Sequence, residues 1–327
     1  MIPVYNEVDI VGQVIEHLTE QGVNLVMVDN GSTDGSFEVI RRYLGRGVLS
    51  VERLATEKFE MSLLWRRLHK MMLEHEPDWT FRCSADEFLE SPYRGLTLAK
   101  AIQLEAERGH NLIQFNNFEF FPTEKDCDDP EIDVRKRLRY YSWHDDNQYL
   151  CWKVHPNMNP EKSVHENGFA DGTNANVSPN KFVLRHYKIR SYEHGLRKIF
   201  HERLPRFSPE LHARGQNIHY DRFGTDRDYF IIDSRKLTRY DEDGNWNLTK
   251  TFDGSYGAWN PASGDERISQ LIRENRELRE ACDKRTSQLI RENKELREVL
   301  ENSLALRLAR RIPFGKQIRH FVVQEKQ

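Results

Sequence analysis

The sequence predicts an α/β fold followed by a long charged helix, and three observations predict it. Residues 1–36 read strand, helix, strand. Two later apolar stretches, Leu112–Phe121 and Phe182–Leu184, read as further strands. From Arg267 to Ala309 there is no Gly or Pro, and Glu, Arg and Leu dominate.

The first unit is the most legible. Ile2-Pro3-Val4 is a short apolar run that breaks into Tyr5-Asn6-Glu7. Val8–Gln21 follows, with Ile10, Val11, Val14, Ile15 and Leu18 at helical spacing. Leu25–Val28 is a second apolar run, ending in Asp29-Asn30-Gly31-Ser32-Thr33-Asp34-Gly35-Ser36, a dense set of turn formers. Strand, helix and strand in so short a span imply parallel strands with a right-handed crossover. Ligands of such units sit beyond the carboxyl ends of the strands. Both ends here carry polar groups. A tyrosine ring offers a stacking face to a base. A strand-end carboxylate can accept a base N–H, a contact that discriminates best when buried.

"PVYNE" and "VDNGSTDGS", in this order and spacing, resemble glycosyltransferase family 2. The resemblance implies the GT-A fold, a Rossmann-like mixed sheet with flanking helices. It also implies a nucleotide-sugar donor site. Carried over residue by residue, Tyr5 contacts the base and Asp29 binds uracil, with Pro3, Glu7 and Ser32 close by.

The second segment is Trp79-Thr80-Phe81-Arg82-Cys83-Ser84-Ala85-Asp86-Glu87-Phe88, an apolar-aromatic run ending in an acidic pair. It resembles the DxDEF variant of the family, with Ser84 in place of the first Asp. In the family the last Asp of the motif binds a divalent metal that bridges the donor phosphates; here that is Asp86. Hard oxygen ligands suit Mg²⁺ or Mn²⁺. Such an ion stabilises charge developing on the leaving diphosphate. Ser84 can serve only as a neutral donor-site group, so metal binding is expected to be retained but weaker.

The third segment is Phe182-Val183-Leu184-Arg185-His186-Tyr187-Lys188-Ile189-Arg190-Ser191, followed by a predicted helix over Tyr192–Leu204 carrying Arg197, Lys198 and Arg203. The resemblance implies that His186 is a further metal ligand. Arg190 and Lys198 are then candidate contacts to the donor phosphates, for which both residue types are suited.

Between these segments, Asp126, Asp128, Asp129, Glu131 and Asp133 read as a solvated loop. Residues 140–180 hold Trp143, His144, Trp152, His155, Pro156 and His165, expected to line an acceptor site. An inverting enzyme needs a carboxylate base for the acceptor hydroxyl. Glu119, Asp145, Asp146, Glu166 and Asp171 qualify by type, and Glu87 lies close to the donor; Glu87, Glu119 and Asp171 are the candidates retained. Asp226–Trp246, with strand-like Tyr229–Ile232, reads as the closing piece of this domain.

The expected organisation is a catalytic domain over 1–250, a Gly/Pro linker over 251–264, a coiled coil over 265–303 and a basic amphipathic tail over 304–327. Ser269–Glu280 recurs almost unchanged as Ser287–Glu298. A seam through Ile268, Leu271, Asn275, Leu278, Cys282, Arg285, Leu289, Asn293, Leu296 and Leu300 steps by threes and fours. Two Asn on such a seam favour a two-stranded state, so a homodimer is expected. Leu304, Ile312, Phe314 and Ile318 mixed with Arg307, Arg310, Arg311 and Lys316 suit an anionic membrane surface.

Composition bounds these readings. The 327 residues are 38% hydrophobic and 31% charged, with net charge −3, so nothing global favours nucleic acid as a partner. No apolar run reaches the length of a membrane span, and the first residues are not a signal peptide. Four scattered cysteines form no paired ligand motif and point to a reducing compartment. A cytoplasmic protein, peripheral at the inner face of the membrane, is expected. The chain opens directly on its first strand, which leaves an upstream start open. The implied activity is metal-dependent, inverting transfer of a sugar from a nucleoside-diphosphate sugar, UDP-linked by the resemblance, to an acceptor hydroxyl of a glycan or glycoconjugate. Two other classes stay open: a degenerate transferase acting as a coiled-coil scaffold, and a sugar nucleotidyltransferase.

Overall fold

The computed structural model describes residues 1–127, 129, 131–159, 175–208, 212, 220–221, 223–241, 245–248 and 288, with the backbone alone at 145–147. The chain divides into two units, Met1–Trp259 and Asn260–Gln327. Of the second, only Gln288 is described. The expected linker, coiled coil and basic tail therefore lie outside the described residues, as do Asp171, Glu166 and His165.

The opening unit forms as the pattern requires. Strand β1 (Ile2–Val4), helix α1 (Val11–Glu20) and strand β2 (Leu25–Asp29) follow in order. The helix buries Val11, Val14, Ile15 and Leu18, the face set by its apolar spacing. Helix α2 (Ser36–Arg41) and strand β3 (Val48–Arg53) complete a parallel sheet of order β1-β2-β3. Val4 pairs with Asp29, so the loops after β1 and β2 emerge side by side. Turn residues stitch them together. The Asn6 and Glu7 amides donate to the Ser32 and Ser36 hydroxyls, and the Thr33 amide donates to Asn6 Oδ1 at 2.8 Å. Asn6 sits at φ 53°, a left-handed conformation that Asn tolerates better than most residues.

The second sheet is mixed. Helix α3 (Met61–Leu73) leads to strands β4 (Trp79–Phe81) and β5 (Glu87–Glu90). Helix α4 (Leu98–Glu107), strand β6 (Leu112–Phe121), helix α5 (Val134–Arg137) and strands β7 (Tyr140–Lys153) and β8 (Phe182–His186) follow. The order is β4-β7-β6-β8-β5, antiparallel except for β6 and β8. Met1 joins the two sheets: its ammonium donates to the Phe81 carbonyl at 2.9 Å, and its carbonyl accepts from the Cys83 amide at 3.2 Å. The result is the mixed α/β architecture expected of a GT-A fold.

Alternation along β6 separates two faces. Phe118 and Phe120 enter the main core beside Phe88, Tyr141 and Tyr187. Burying each such ring contributes roughly 1.5–3 kcal/mol. Asn117 and Glu119 point the other way by the strand's period of two. The expected strand at Tyr229–Ile232 does not form. Arg227–Tyr229 is a 3₁₀ turn, and Phe230 and Ile232 are buried against separate side-chain clusters instead of pairing along a ladder. The strand of this region is β9 (Thr238–Arg239), paired with the start of β7. Beyond it Trp246 stacks on Phe118 at 4.1 Å and on Tyr240 at 4.8 Å. Among the described residues, no helix is long and apolar enough to cross a membrane.

Candidate active site

Three polar loops meet at the carboxyl ends of β1, β2 and β4. They surround a cavity of about 230 Å³ whose lining includes Tyr5, Asn30, Asp86, His186, Lys188, Lys198 and Arg203. Antiparallel pairing of β5 and β8 sets Glu87 opposite His186 and brings the second and third segments together. The predicted helix over Tyr192–Leu204 begins as α6 (Tyr192–Leu196), capped by the Ser191 hydroxyl, and then widens into a π-helical turn, Arg197–Arg203. Such turns recur at functional sites.

The carboxylate that ends β2, Asp29, is fully buried. Asp29 Oδ2 accepts from the Gly31 and Ser32 amides at 3.1 and 3.0 Å, and Arg53 Nε lies 3.4 Å away. Asp29 Oδ1 has no protein partner. Its neighbour Asn30 accepts from Thr56 through Oδ1, while Asn30 Nδ2 also has none. A buried acceptor and a buried donor thus stand adjacent in the chain without protein partners, an uncommon condition in folded proteins. Tyr5 lines the same cavity as Asn30, with the Arg206 guanidinium over its ring at 3.8 Å.

The other side of the cavity is a network of buried charges. Lys198 Nζ donates to Asp86 Oδ2 at 2.7 Å and to Glu7 Oε1 at 2.8 Å. Asp86 Oδ1 lies 3.5 Å from His186 Nε2. Burial alone would raise the Asp86 carboxyl pKa, but Lys198 and His186 hold it well below the usual carboxylate range. Burial likewise opposes protonation of His186, yet Asp86 and Glu87 raise its pKa overall. Glu87 is pushed up by burial, and its Oε2 accepts from the Ser84 amide at 2.7 Å. Glu119 stands behind Lys188, whose ammonium is 3.2 Å away. That charge and His186 outweigh burial and lower the Glu119 pKa.

Of the residues singled out by sequence, Pro3, Tyr5, Glu7, Ser84, Asp86, His186 and Lys198 line the cavity. Asp29 is fully buried and precedes the lining residue Asn30, and Ser32 holds the Asn6 amide. Arg190 is placed differently from the expectation. Its side chain is 1% exposed and donates to Glu7 at 2.6 Å, to Asp9 at 2.6 and 2.7 Å and to the Tyr187 carbonyl at 3.2 Å. It braces the β1 loop and does not line the cavity. Trp143 and Trp152 also differ from the expected acceptor lining. Trp143 packs on the main core, and Trp152 is buried, with Nε1 donating to Met158 Sδ. Sequence reasoning did not single out Asn30, Lys188 or Asp9. Lys188 follows His186 by two residues, a spacing that on a strand keeps one face.

An Asp86 oxygen and a His186 nitrogen at this separation fit a hard divalent cation. Mg²⁺ in particular takes few protein carboxylates and completes its shell with substrate phosphates. Glu7, Asp9 and His194 also bring ligand atoms within 4.8 Å of one another. There Arg190 already donates to both carboxylates, and burial together with Arg190 drives the His194 pKa well down. The guanidinium already serves as the cation of that group.

Residues 1–54 match the family model for Glycosyl transferase family 2. The match supports a glycosyltransferase enzyme that uses a nucleotide sugar, and it speaks for the parallel sheet. No curated protein matches the chain. Among solved structures, the chain is similar to a mannosyltransferase, PcManGT from Pyrobaculum calidifontis in complex with GDP-Man and Mn²⁺. Identity is 21%, coverage 35% of this chain and 33% of that one, and the TM-score 0.27. It is also similar to S. aureus TarS 1–349, at 13% identity, 61% coverage of each chain and a TM-score of 0.34. The chain spans less than two thirds of either structure, and likenesses at these TM-scores carry no argument about mechanism.

Proposed function

We propose that this protein transfers a sugar from a UDP-linked donor to an acceptor hydroxyl with inversion, in one displacement. The observation that carries this reading is the pair of partnerless atoms at the end of β2, Asp29 Oδ1 and Asn30 Nδ2, beside a cavity that also holds Asp86 and His186. The imide edge of uracil offers an N–H and a carbonyl oxygen, the complement of one acceptor and one donor. A base lacking that complement leaves buried polar atoms unpaired, which is costly.

The donor diphosphate then extends toward Asp86. Asp86 and His186 would hold the divalent cation, which supplies Lewis-acid stabilisation of the leaving diphosphate when bound. Lys198 keeps Asp86 ionised and in place. Glu87 is a positioning residue, since its carboxylate is engaged by the Ser84 amide and faces His186 Nδ1 at 3.9 Å. Glu119, on β6 and 3.2 Å from the Lys188 ammonium, is the base candidate, while Asp171 lies outside the described residues. The acceptor is a hydroxyl of a glycan or glycoconjugate. Dimerisation through the coiled coil and contact of the basic tail with an anionic membrane belong to the same reading.

Thermal stabilisation of the full chain by UDP-, GDP- and dTDP-sugars with Mn²⁺, followed by donor hydrolysis, tests it. Stabilisation by the UDP series, lost in Asp29→Ala, is expected. Absence of stabilisation by any nucleotide sugar would refute the reading.

A further inference from the structure

The two carboxylate oxygens of Asp86 face different partners. Oδ2 accepts from the Lys198 ammonium at 2.7 Å, and Oδ1 lies 3.5 Å from His186 Nε2. The backbone at Asp86 is fixed as well, since its carbonyl accepts from the Tyr187 amide at 2.9 Å. On the reading of Asp86 and His186 as the pair that holds a divalent cation, only the oxygen turned toward His186 is left for it.

Lys198 is held in that place from behind. Its ammonium also donates to Glu7 Oε1 at 2.8 Å, a pairing that spans 191 residues of sequence. Glu7 in turn shares the Arg190 guanidinium with Asp9, at 2.6 Å each. Asp9, Arg190, Glu7, Lys198 and Asp86 thus form one line of alternating charge, three carboxylates against two cations, with one net negative charge. The Lys198 and Glu7 side chains are 5% and 4% exposed, so water does not compete for the ammonium. The segment that carries Lys198 is tied to the same loop a second time: Asn6 Nδ2 donates to Glu202 Oε1 at 3.0 Å.

We propose that Lys198, positioned by Glu7, confines Asp86 to one cation-facing oxygen and so makes the site select Mg²⁺ and Mn²⁺ against Ca²⁺. Ca²⁺ gathers six to eight oxygens and commonly takes both oxygens of a carboxylate, whereas Mg²⁺ needs a tight octahedron with few protein carboxylates. A cation drawing on both Asp86 oxygens has to share Oδ2 with an ammonium, and two positive centres on one buried oxygen repel strongly. A cation that uses a single oxygen avoids that clash. Lys198 is then the specificity-determining residue and Glu7 the positioning residue that keeps its ammonium on Oδ2. A purely structural role for either would move the affinities of all three cations together.

Mn²⁺ binding to the full chain without nucleotide, followed by electron paramagnetic resonance with Mg²⁺ and Ca²⁺ as competitors, tests this. Wild type is expected to bind Mg²⁺ more tightly than Ca²⁺. In Lys198→Met the ratio of Ca²⁺ to Mg²⁺ affinity is expected to rise on the order of 10-fold, the scale of a lost hydrogen bond to a charged group. Lys198→Arg keeps a cation on Oδ2 and is expected to keep the wild-type ratio. Glu7→Gln leaves the ammonium to Asp86 alone, and Mn²⁺ affinity is expected to fall on the order of 10- to 100-fold, as when the partner behind a metal ligand is removed. Thermal melts matching wild type certify folding, and Lys198→Gln carries the test if Lys198→Met unfolds. An unchanged ratio in a folded Lys198 variant without the charge, with Mn²⁺ binding still lost in Asp86→Ala, overturns the role of Lys198 and leaves Asp86 as the ligand. Unchanged Mn²⁺ affinity in Glu7→Gln overturns the role of Glu7. If wild type binds no Mn²⁺, or Asp86→Ala binds it equally well, the cation reading itself fails and this proposal falls with it, while stabilisation by UDP-sugars judges the nucleotide reading separately.

Discussion

Residues 1–54 and residues 79–206 build facing walls of one cavity by opposite means. The first wall is local and mostly neutral. Its cross-links join residues about one βαβ unit apart, such as Asn6 to Ser32 and Glu7 to Ser36, through backbone amides and small hydroxyls. The second wall is non-local and charged. Arg190 reaches back to Glu7, and Lys198 bridges Glu7 and Asp86. Glu7 belongs to both, since its amide serves the first wall and its carboxylate the second. Neutral turn bonds contribute about 1 kcal/mol each, whereas breaking one partner of a buried ion pair costs about 3–5 kcal/mol. The first wall should therefore tolerate single changes, and the second should fail abruptly.

The largest expected effect is on turnover. Asp86→Ala should lower the transfer rate on the order of 10²- to 10³-fold, the scale seen when a group stabilising developing charge is removed. It also leaves the Lys198 ammonium facing Glu7 alone. Rates with saturating UDP-sugar and Mn²⁺ check this; undiminished turnover would place the chemistry elsewhere.

Stability gives the sharpest contrast between the walls. Arg190→Met leaves Glu7 and Asp9 without their guanidinium and should cost about 3–5 kcal/mol. Ser32→Ala removes one acceptor of the first wall and should cost about 1–2 kcal/mol. Urea unfolding of both variants against wild type measures the difference, and equal losses would abolish the distinction drawn here.

Acid should reveal the charged wall too. Burial first, and then Arg190, Lys198 and Arg197, hold the His194 pKa well below its ordinary 6.5. Below about pH 6.5 the unfolded chain takes up a proton that folded His194 refuses. Stability should therefore fall as pH drops through that range and be insensitive to this residue above it. His194→Gln should flatten that acid limb in urea unfolding followed from neutral to acidic pH. An unchanged slope would show that His194 is not a source of the acid sensitivity.

The same division decides what the sequence could reveal. The parallel unit was legible because its signals are local: apolar spacing in Val11–Leu18, then turn formers directly after β2. Asp86 and His186 stood out for a similar reason, as polar ends of apolar runs, and the structure sets both on one cavity; the metal role expected of them came from the resemblance alone. Partnership across the chain was not. Nothing near Arg190 shows that Glu7 and Asp9 will absorb it, because the pairing spans more than 180 residues. The aromatics of β7 were misjudged because composition does not show which face of a strand meets the core. Tyr229–Ile232 failed as a strand because only Ile232 meets a neighbour, in an isolated bridge to Thr123 with its amide on the Pro122 carbonyl, and a local run of apolar residues does not show how far such pairing extends.

The smallest expected effect on catalysis comes from removing the proposed coiled coil. Each residue assigned to the two walls precedes Arg206, and the aromatic closure on Phe118 ends with Trp246. A chain ending at Gly264 should therefore keep its donor affinity and its turnover with a soluble acceptor, because both walls remain complete. Its assembly should change fully. On the proposed coiled-coil reading, the Leu/Ile seam of Arg267–Leu300 would hide its apolar groups only against another helix, and Asn275 and Asn293 on that seam would favour pairing in register. Light scattering should give a dimer for the full chain and a monomer for the shortened one. Loss of turnover on truncation would mean that the second unit completes the site, and a monomeric full chain at micromolar concentration would leave its seam for a different partner.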